Sequence, residues 1–226
     1  MNGRNPRPAV ARNTFTVKLR LLTLLTLTLL TACSRRGQLE DGGVYVRRSA
    51  CPILGIPAAT GDITLFSPAQ SRDSSAIDVT ATMTNLFANC DEGGEWVTSN
   101  AVFDVLAVRR DVGQARQVVL PFFSTGVQGG SRVVAKRVGQ VTLNFAAGSN
   151  RAQAKGQTVL QVSRAVATLP ENARLILTRV RKPGQEEAAV DPLSDPTVRA
   201  AVAAATFEHL VGFQMSQDML KYNATR

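Results

Sequence analysis

From about residue 44 to residue 164 the chain alternates apolar and polar residues with a period of two, and few patterns restrict a fold so tightly. Ile77, Val79, Ala81 and Met83 alternate with Asp78, Thr80, Thr82 and Thr84. Such spacing puts one set on each face of a half-buried strand with a threonine-lined outer side. Ala101, Phe103, Val105 and Ala107 repeat one phase, and the mixed other phase predicts a more central strand. Val141, Leu143 and Phe145 alternate with Thr142 and Asn144, and Leu160 and Val162 with Gln161 and Ser163. Val118–Phe123 is strand-like, but Pro121 offers no ladder donor, which assigns it to an edge or a bulge. Turn signals stand between these runs: Gly93-Gly94, Asp111-Val112-Gly113, Gly129-Gly130 and Gly148-Ser149-Asn150. Further strands near 44–48, 62–66 and 131–138 bring the count to about eight. Short strands without intervening helices predict an antiparallel β-sandwich over residues 51–182.

In size this domain resembles immunoglobulin-like or fibronectin-like sandwiches, with no signature that fixes the strand order. Residues 169–181 are ambiguous. Pro170-Glu171 suits a helix start and the β-branched end suits a strand, and the expectation is a turn followed by a strand from about 174 to 181. Residues 183–195, with Pro183, Gly184 and Glu186-Glu187, read as a linker. Residues 196–226 are expected to be helical: Asp195 can cap, Pro196 fits the first turn, and Val198, Ala201, Val202, Ala205 and Leu210 lie at helical spacing. Gly212 marks the end of that helix, and Ser216 a fresh cap and last turn. This amphipathic segment has two readings, core docked on the sandwich or a face offered to a partner groove.

Upstream the chain is different. Arg4, Arg7, Arg12, Lys18 and Arg20 are joined by no acidic residue, and residues 21–30 are leucine and threonine only. A basic start and an apolar core too short to span about 30 Å of hydrocarbon read as a secretory signal. Leu30-Thr31-Ala32-Cys33 resembles the lipobox of bacterial lipoproteins. The resemblance implies a signal peptide over 1–32, a lipid on Cys33, and a tether over 33–50. Ser34, where aspartate would favour retention, implies the periplasmic leaflet of a Gram-negative outer membrane.

Removing such a signal changes the electrostatics. The chain holds 26 Lys/Arg against 17 Asp/Glu, but five of the basic residues and none of the acidic ones precede residue 34, leaving 21 against 17. A nucleic-acid partner is therefore not expected. The remaining charge is unevenly spread: residues 109–182 carry thirteen basic and two acidic groups, while both flanking segments are net acidic. Within that half Arg132, Lys136, Arg137, Arg151 and Lys155 are the candidate patch for an anionic partner, against the alternative of solvated strand faces and protected edges. Cys51 and Cys90 remain once Cys33 is set aside, and an exported pair is expected to form a disulfide rather than stay as buried thiols.

No reaction is announced. The single histidine, His209, is read as a mid-helix residue beside Glu208 and Leu210, not as a general base. There is no Gly-x-Ser-x-Gly elbow, no paired-cysteine zinc spacing, no phosphate-cradling loop and no Asp-x-Asp calcium loop, so no cofactor and no metal are expected. Asp91-Glu92-Gly93-Gly94-Glu95 is read as a solvated hairpin loop. The expectation is a non-enzymatic, membrane-anchored protein acting by protein or glycan contact in envelope assembly or maintenance. The alternative is a small-ligand or lipid carrier with a pocket between the sandwich and the C-terminal helix.

Overall fold

Eight strands in two four-stranded sheets form the sandwich of this protein. The computed structural model describes residues 39–40, 43–44, 49–179, 184 and 189–225. The chain divides into two units, Met1–Val46 and Arg47–Arg226. In the first, Leu39–Glu40 and Gly43–Val44 pair as an antiparallel ribbon. The signal segment, Cys33 and most of residues 180–188 lie outside the described residues.

One sheet of the second unit runs β1 (Ile53–Gly55), β8 (Phe207–Phe213), β5 (Arg116–Gln128), β6 (Arg132–Phe145). The other runs β2 (Asp62–Phe66), β3 (Ile77–Asp91), β4 (Trp96–Arg109), β7 (Arg151–Ser163). All pairings are antiparallel except β1 with β8. The predicted alternation holds: Val79, Ala81, Met83, Ala101, Phe103, Val105, Ala107, Val141, Leu143 and Phe145 are buried between the sheets. Four helices, α1 (Arg164–Ala167), α2 (Glu171–Thr178), α3 (Pro196–Ala204) and α4 (Gln217–Ala224), complete the described unit.

Three expectations are corrected. Residues 207–213 are not helical but form the interior strand β8. Asp195 does cap α3, accepting from the Thr197 N–H, and Val198 is buried. The helix nevertheless stops at Ala204, and Phe207, His209, Val211 and Phe213 then turn inward at every second position. A histidine in the apolar phase hid this alternation. Residues 174–178 belong to α2, where Arg174 reaches back one turn to Glu171 and only Ala173 is buried. No sheet edge meets Leu175 and Ile176, so local helix formation prevails there. Pro121 lies in the interior strand β5, but opposite the point where β8 has ended: the last pair is Phe213 with Phe122, and Pro121 offers only its carbonyl, to the Gln214 N–H. Its missing donor costs no ladder bond.

Two devices set the register. Phe103 and Phe122 meet edge to face at 5.1 Å, and each lies over a glycine of the neighbouring edge strand: Phe103 over Gly156 and Phe122 over Gly139, their register partners. A Cβ at Gly156 would stand 2.1 Å from the Phe103 ring, and one at Gly139 2.4 Å from Phe122. The second device is a bulge in β3, where Asn85 and Leu86 together oppose Phe103. Asn85 takes the left-handed conformation (φ 51°) that asparagine tolerates, and its side-chain amide donates to Asp104 at 2.7 Å. The inward phase of β3 switches there from Val79, Ala81 and Met83 to Leu86, Ala88 and Cys90. Cys90 thereby faces Cys51, and the two are joined by a disulfide.

At the C-terminus, Ser216 accepts from the Met219 N–H to start α4. Tyr222 packs edge to face on Phe66, and Asn223 donates to the carbonyls of Ala59 and Asp62. Within the C-terminal segment β8 belongs to the core, while α4 packs on it from outside with no buried residue of its own.

Candidate functional site: a buried polar bridge and a basic cleft

His209 occupies an inward position of β8 between Phe207 and Val211 and has no solvent exposure. Ser124 comes from β5 in the same sheet, and Ser99 from β4 in the facing one. The Ser124 hydroxyl lies 2.9 Å from His209 Nε2, and the Ser99 hydroxyl 2.9 Å from Nδ1. The imidazole thus spans the space between the sheets with both nitrogens satisfied. Loss of hydration pushes its pKa down to about 4, so the ring is neutral near pH 7. A neutral imidazole carries one N–H and one lone pair, so one serine accepts from the ring while the other donates to it.

The bridge sits between two apolar regions. On one side lies the main core around Phe103, Phe122, Leu143, Phe145 and Phe213. On the other lies a smaller cluster of Val97, Leu160, Val162, Ala167 and Phe207, joined by Cys51 and Cys90. Cys90 is the register partner of Ser99, so the disulfide borders the bridge directly.

Ser124 also lines a cleft of about 180 Å³ between β6 and β7. Arg137 stands opposite Ser124 in the β5–β6 register, so both side chains rise on one side of the sheet. Gln161 is a polar member of the wall, and Trp96, Ala135, Val159 and Leu160 are its apolar part. Among the described residues Arg137 makes no ion pair or hydrogen bond.

The residues of the predicted basic patch share the flank of β6 and β7 but face different sides of it. Arg132, at the start of β6, donates to the Gln128 amide oxygen. Lys136 alternates with Ala135 and Arg137 and is exposed on the outer side of its sheet. Arg151 pairs in register with Val108, and Lys155 with Asp104, both exposed on the outer side of the other sheet. Arg137 alone enters the cleft. Other members of the basic half serve the fold. Arg116 makes a bidentate contact with Asp78. Arg109, 2 % exposed, donates to the carbonyls of Gly113, Gln114, Ala146 and Ser149 and covers the Phe145 ring. The acidic loop is likewise structural, since Glu92 accepts from the Ser49 hydroxyl and the Ala50 N–H beside the disulfide.

Among the described residues no three His, Cys, Asp or Glu side chains are grouped to hold a metal ion, and no helix is long and apolar enough to cross a membrane. The Ser99–His209–Ser124 bridge has no counterpart in the sequence reading. Its one available signal was that His209 shares the period-two phase of Phe207, Val211 and Phe213. No protein-family model, curated protein or solved structure matches this chain.

Proposed function

We propose that this chain is a lipid-anchored envelope protein, held through Cys33 in the periplasmic leaflet of a Gram-negative outer membrane, which acts by contact with an anionic envelope component and not by catalysis. The anchor rests on the lipobox-like Leu30-Thr31-Ala32-Cys33. The observation that carries the contact reading is the flank formed by β6 and β7, one edge strand of each sheet. These strands hold Arg132, Lys136, Arg137, Arg151 and Lys155 and no acidic residue, and Val133, Val134 and Val138 stand exposed beside the charges. An edge that is apolar and uniformly basic suits an anionic surface better than another strand.

The test uses Cys33→Ser, which should block lipid attachment and free the protein from membranes. That protein should still sediment with vesicles containing phosphatidylglycerol at low salt, and not with phosphatidylcholine alone. Adding Lys136→Glu, Arg151→Glu and Lys155→Glu should abolish the sedimentation, and so should salt that shortens the screening length to about 8 Å. Processing and membrane retention of Cys33→Ser would overturn the anchor, and charge-independent vesicle binding would overturn the contact reading.

A further inference from the structure

Among the described residues Arg137 is a cation without a counter-charge, placed in a cleft lined also by Ser124, Gln161, Ala135, Val159 and Leu160. Across the strand from it is a serine hydroxyl, 4 % exposed, whose second hydrogen-bonding partner is a fully buried histidine. We infer that this cleft binds a small carboxylate carried on a short aliphatic group, held by Arg137 and Ser124, with His209 setting the hydroxyl's donor direction. The inference is independent of the anchoring reading, because its ligand is a free small molecule and its readout is a signal from inside the sandwich.

The chemistry selects the ligand. A guanidinium offers two parallel N–H donors that match a carboxylate. One cation suits a monoanion, and Ala135, Val159 and Leu160 suit a few methylene groups. A cleft of about 180 Å³ leaves no room for a long chain.

The bridge decides which end of the Ser124 hydroxyl faces the cleft. For Ser124 to donate to a carboxylate, its oxygen must accept from His209 Nε2–H. The ring then has its lone pair on Nδ1, which accepts from the Ser99 hydroxyl. Ligand binding and the Nε2–H tautomer are therefore coupled. The alternative arrangement, with Ser124 donating to Nε2, leaves no proton for the ligand.

Ser124, His209 and Ser99 also have the connectivity of a nucleophile, a base and an orienting group. Hydrolysis would require the ring to become an imidazolium. Complete burial, the absence of a carboxylate in the bridge and the Arg137 charge across from Ser124 all oppose that species. The site is built to hold an acid, not to cleave an ester.

His209 is the only histidine in the chain, so its ring nitrogens can be followed without assignment ambiguity. The full-length protein with ¹⁵N-labelled histidine would be titrated with sodium butyrate at constant ionic strength. Butyramide and sodium chloride serve as controls. The expected result is a saturable change ending in a protonated Nε2 and an unprotonated Nδ1, absent with both controls. Arg137→Gln should weaken binding at least about tenfold, as expected for the loss of a charge-assisted pair. Ser124→Ala should weaken it as well. Should Ser124→Ala unfold the protein, Arg137→Gln, altered at an exposed side chain, still decides the matter. No response to butyrate, an equal response to butyramide, unchanged affinity in Arg137→Gln, or a bound state protonated at Nδ1 would each overturn the inference. Acylation of Ser124 by p-nitrophenyl butyrate would overturn it in favour of catalysis.

Discussion

The two ends of the sandwich are held by different physics. At the broad end fifteen buried apolar residues, from Ile63 to Phe213, fill the space between the sheets, with the Phe103–Phe122 pair at their centre. At the narrow end only five residues are comparably buried, and that end adds the Cys51–Cys90 bridge and borders the Ser99–His209–Ser124 connection. Close-packed apolar area suffices where it is plentiful. Where it is scarce, covalent and polar ties supplement it, and a cleft holding Arg137 lies beside the Ser124 end of the bridge.

Breaking the broad end should have the largest effect. Phe103→Ala removes a ring packed against Phe122 and Gly156 and should cost about 3–5 kcal/mol in denaturant unfolding. Gly156→Ala should approach that damage without removing an atom, because its methyl group would enter the Phe103 ring. A stability close to wild type for either variant would show that the broad end is not the anchor of the domain.

At the narrow end, Cys51→Ala with Cys90→Ala reopens a loop across a sequence separation of 39 residues, worth up to about 4 kcal/mol on the chain-entropy model. The double variant should melt at a lower temperature, with its main effect on hydrogen exchange around Val97, Val162 and Phe207 and a smaller one around Leu143. Uniform loss of protection would erase the distinction between the ends.

The buried histidine sharpens the comparison through pH. Its folded pKa of about 4 lies below the ordinary histidine value of 6.5, so the unfolded chain binds the extra proton first as pH falls. Stability from this group is fully present above about pH 6.5 and is lost as pH drops toward 4, by on the order of 3 kcal/mol. His209→Gln should flatten that part of the stability profile. A wild-type profile with no slope in this window would mean that the imidazole is protonated inside the fold.

The smallest effect is expected at the bulge. Asn85→Ala loses the contact with Asp104 and places a less tolerant residue at positive φ, for a cost of about 1–2 kcal/mol, while Asn85→Gly should cost less. Equal stability of all three proteins by thermal melting would leave the conformation of residue 85 without energetic consequence.

How much of this was legible in the sequence depends on whether local pattern and tertiary demand agreed. In the first half of β3, in β4 and in the second half of β6 they agreed, and the inward residues can be read directly from the alternation. The cysteine pairing was legible through the expectation of export, under which two such thiols pair more often than they stay free. β8 was not, since a buried histidine is satisfied only by partners more than 80 residues away in sequence, invisible to any local window. α2 was not, because nothing local reveals that no strand would be there to pair with residues 174–178. The basic half was legible as composition but not as a surface. Burial of Arg109, pairing of Arg116 and the outward turn of Lys136 relative to Arg137 are products of register.

The bulge at Asn85 also bears on how this gene can change length. Everything downstream of it in β3 is read in the opposite parity from everything upstream. Deleting one residue at positions 85–86 would match β3 to β4 one for one, with Met83 still opposite Val105 and Cys90 still opposite Ser99, so both stretches would keep their inward phase. An inserted residue would instead enlarge the excess that the bulge must absorb. The turn at Asp111–Gly113, by contrast, joins two strands of different sheets, so an added residue there need not alter which side chains face inward. A one-residue deletion should therefore be tolerated at the bulge and a one-residue insertion at that turn, although both lie at the surface of the same domain.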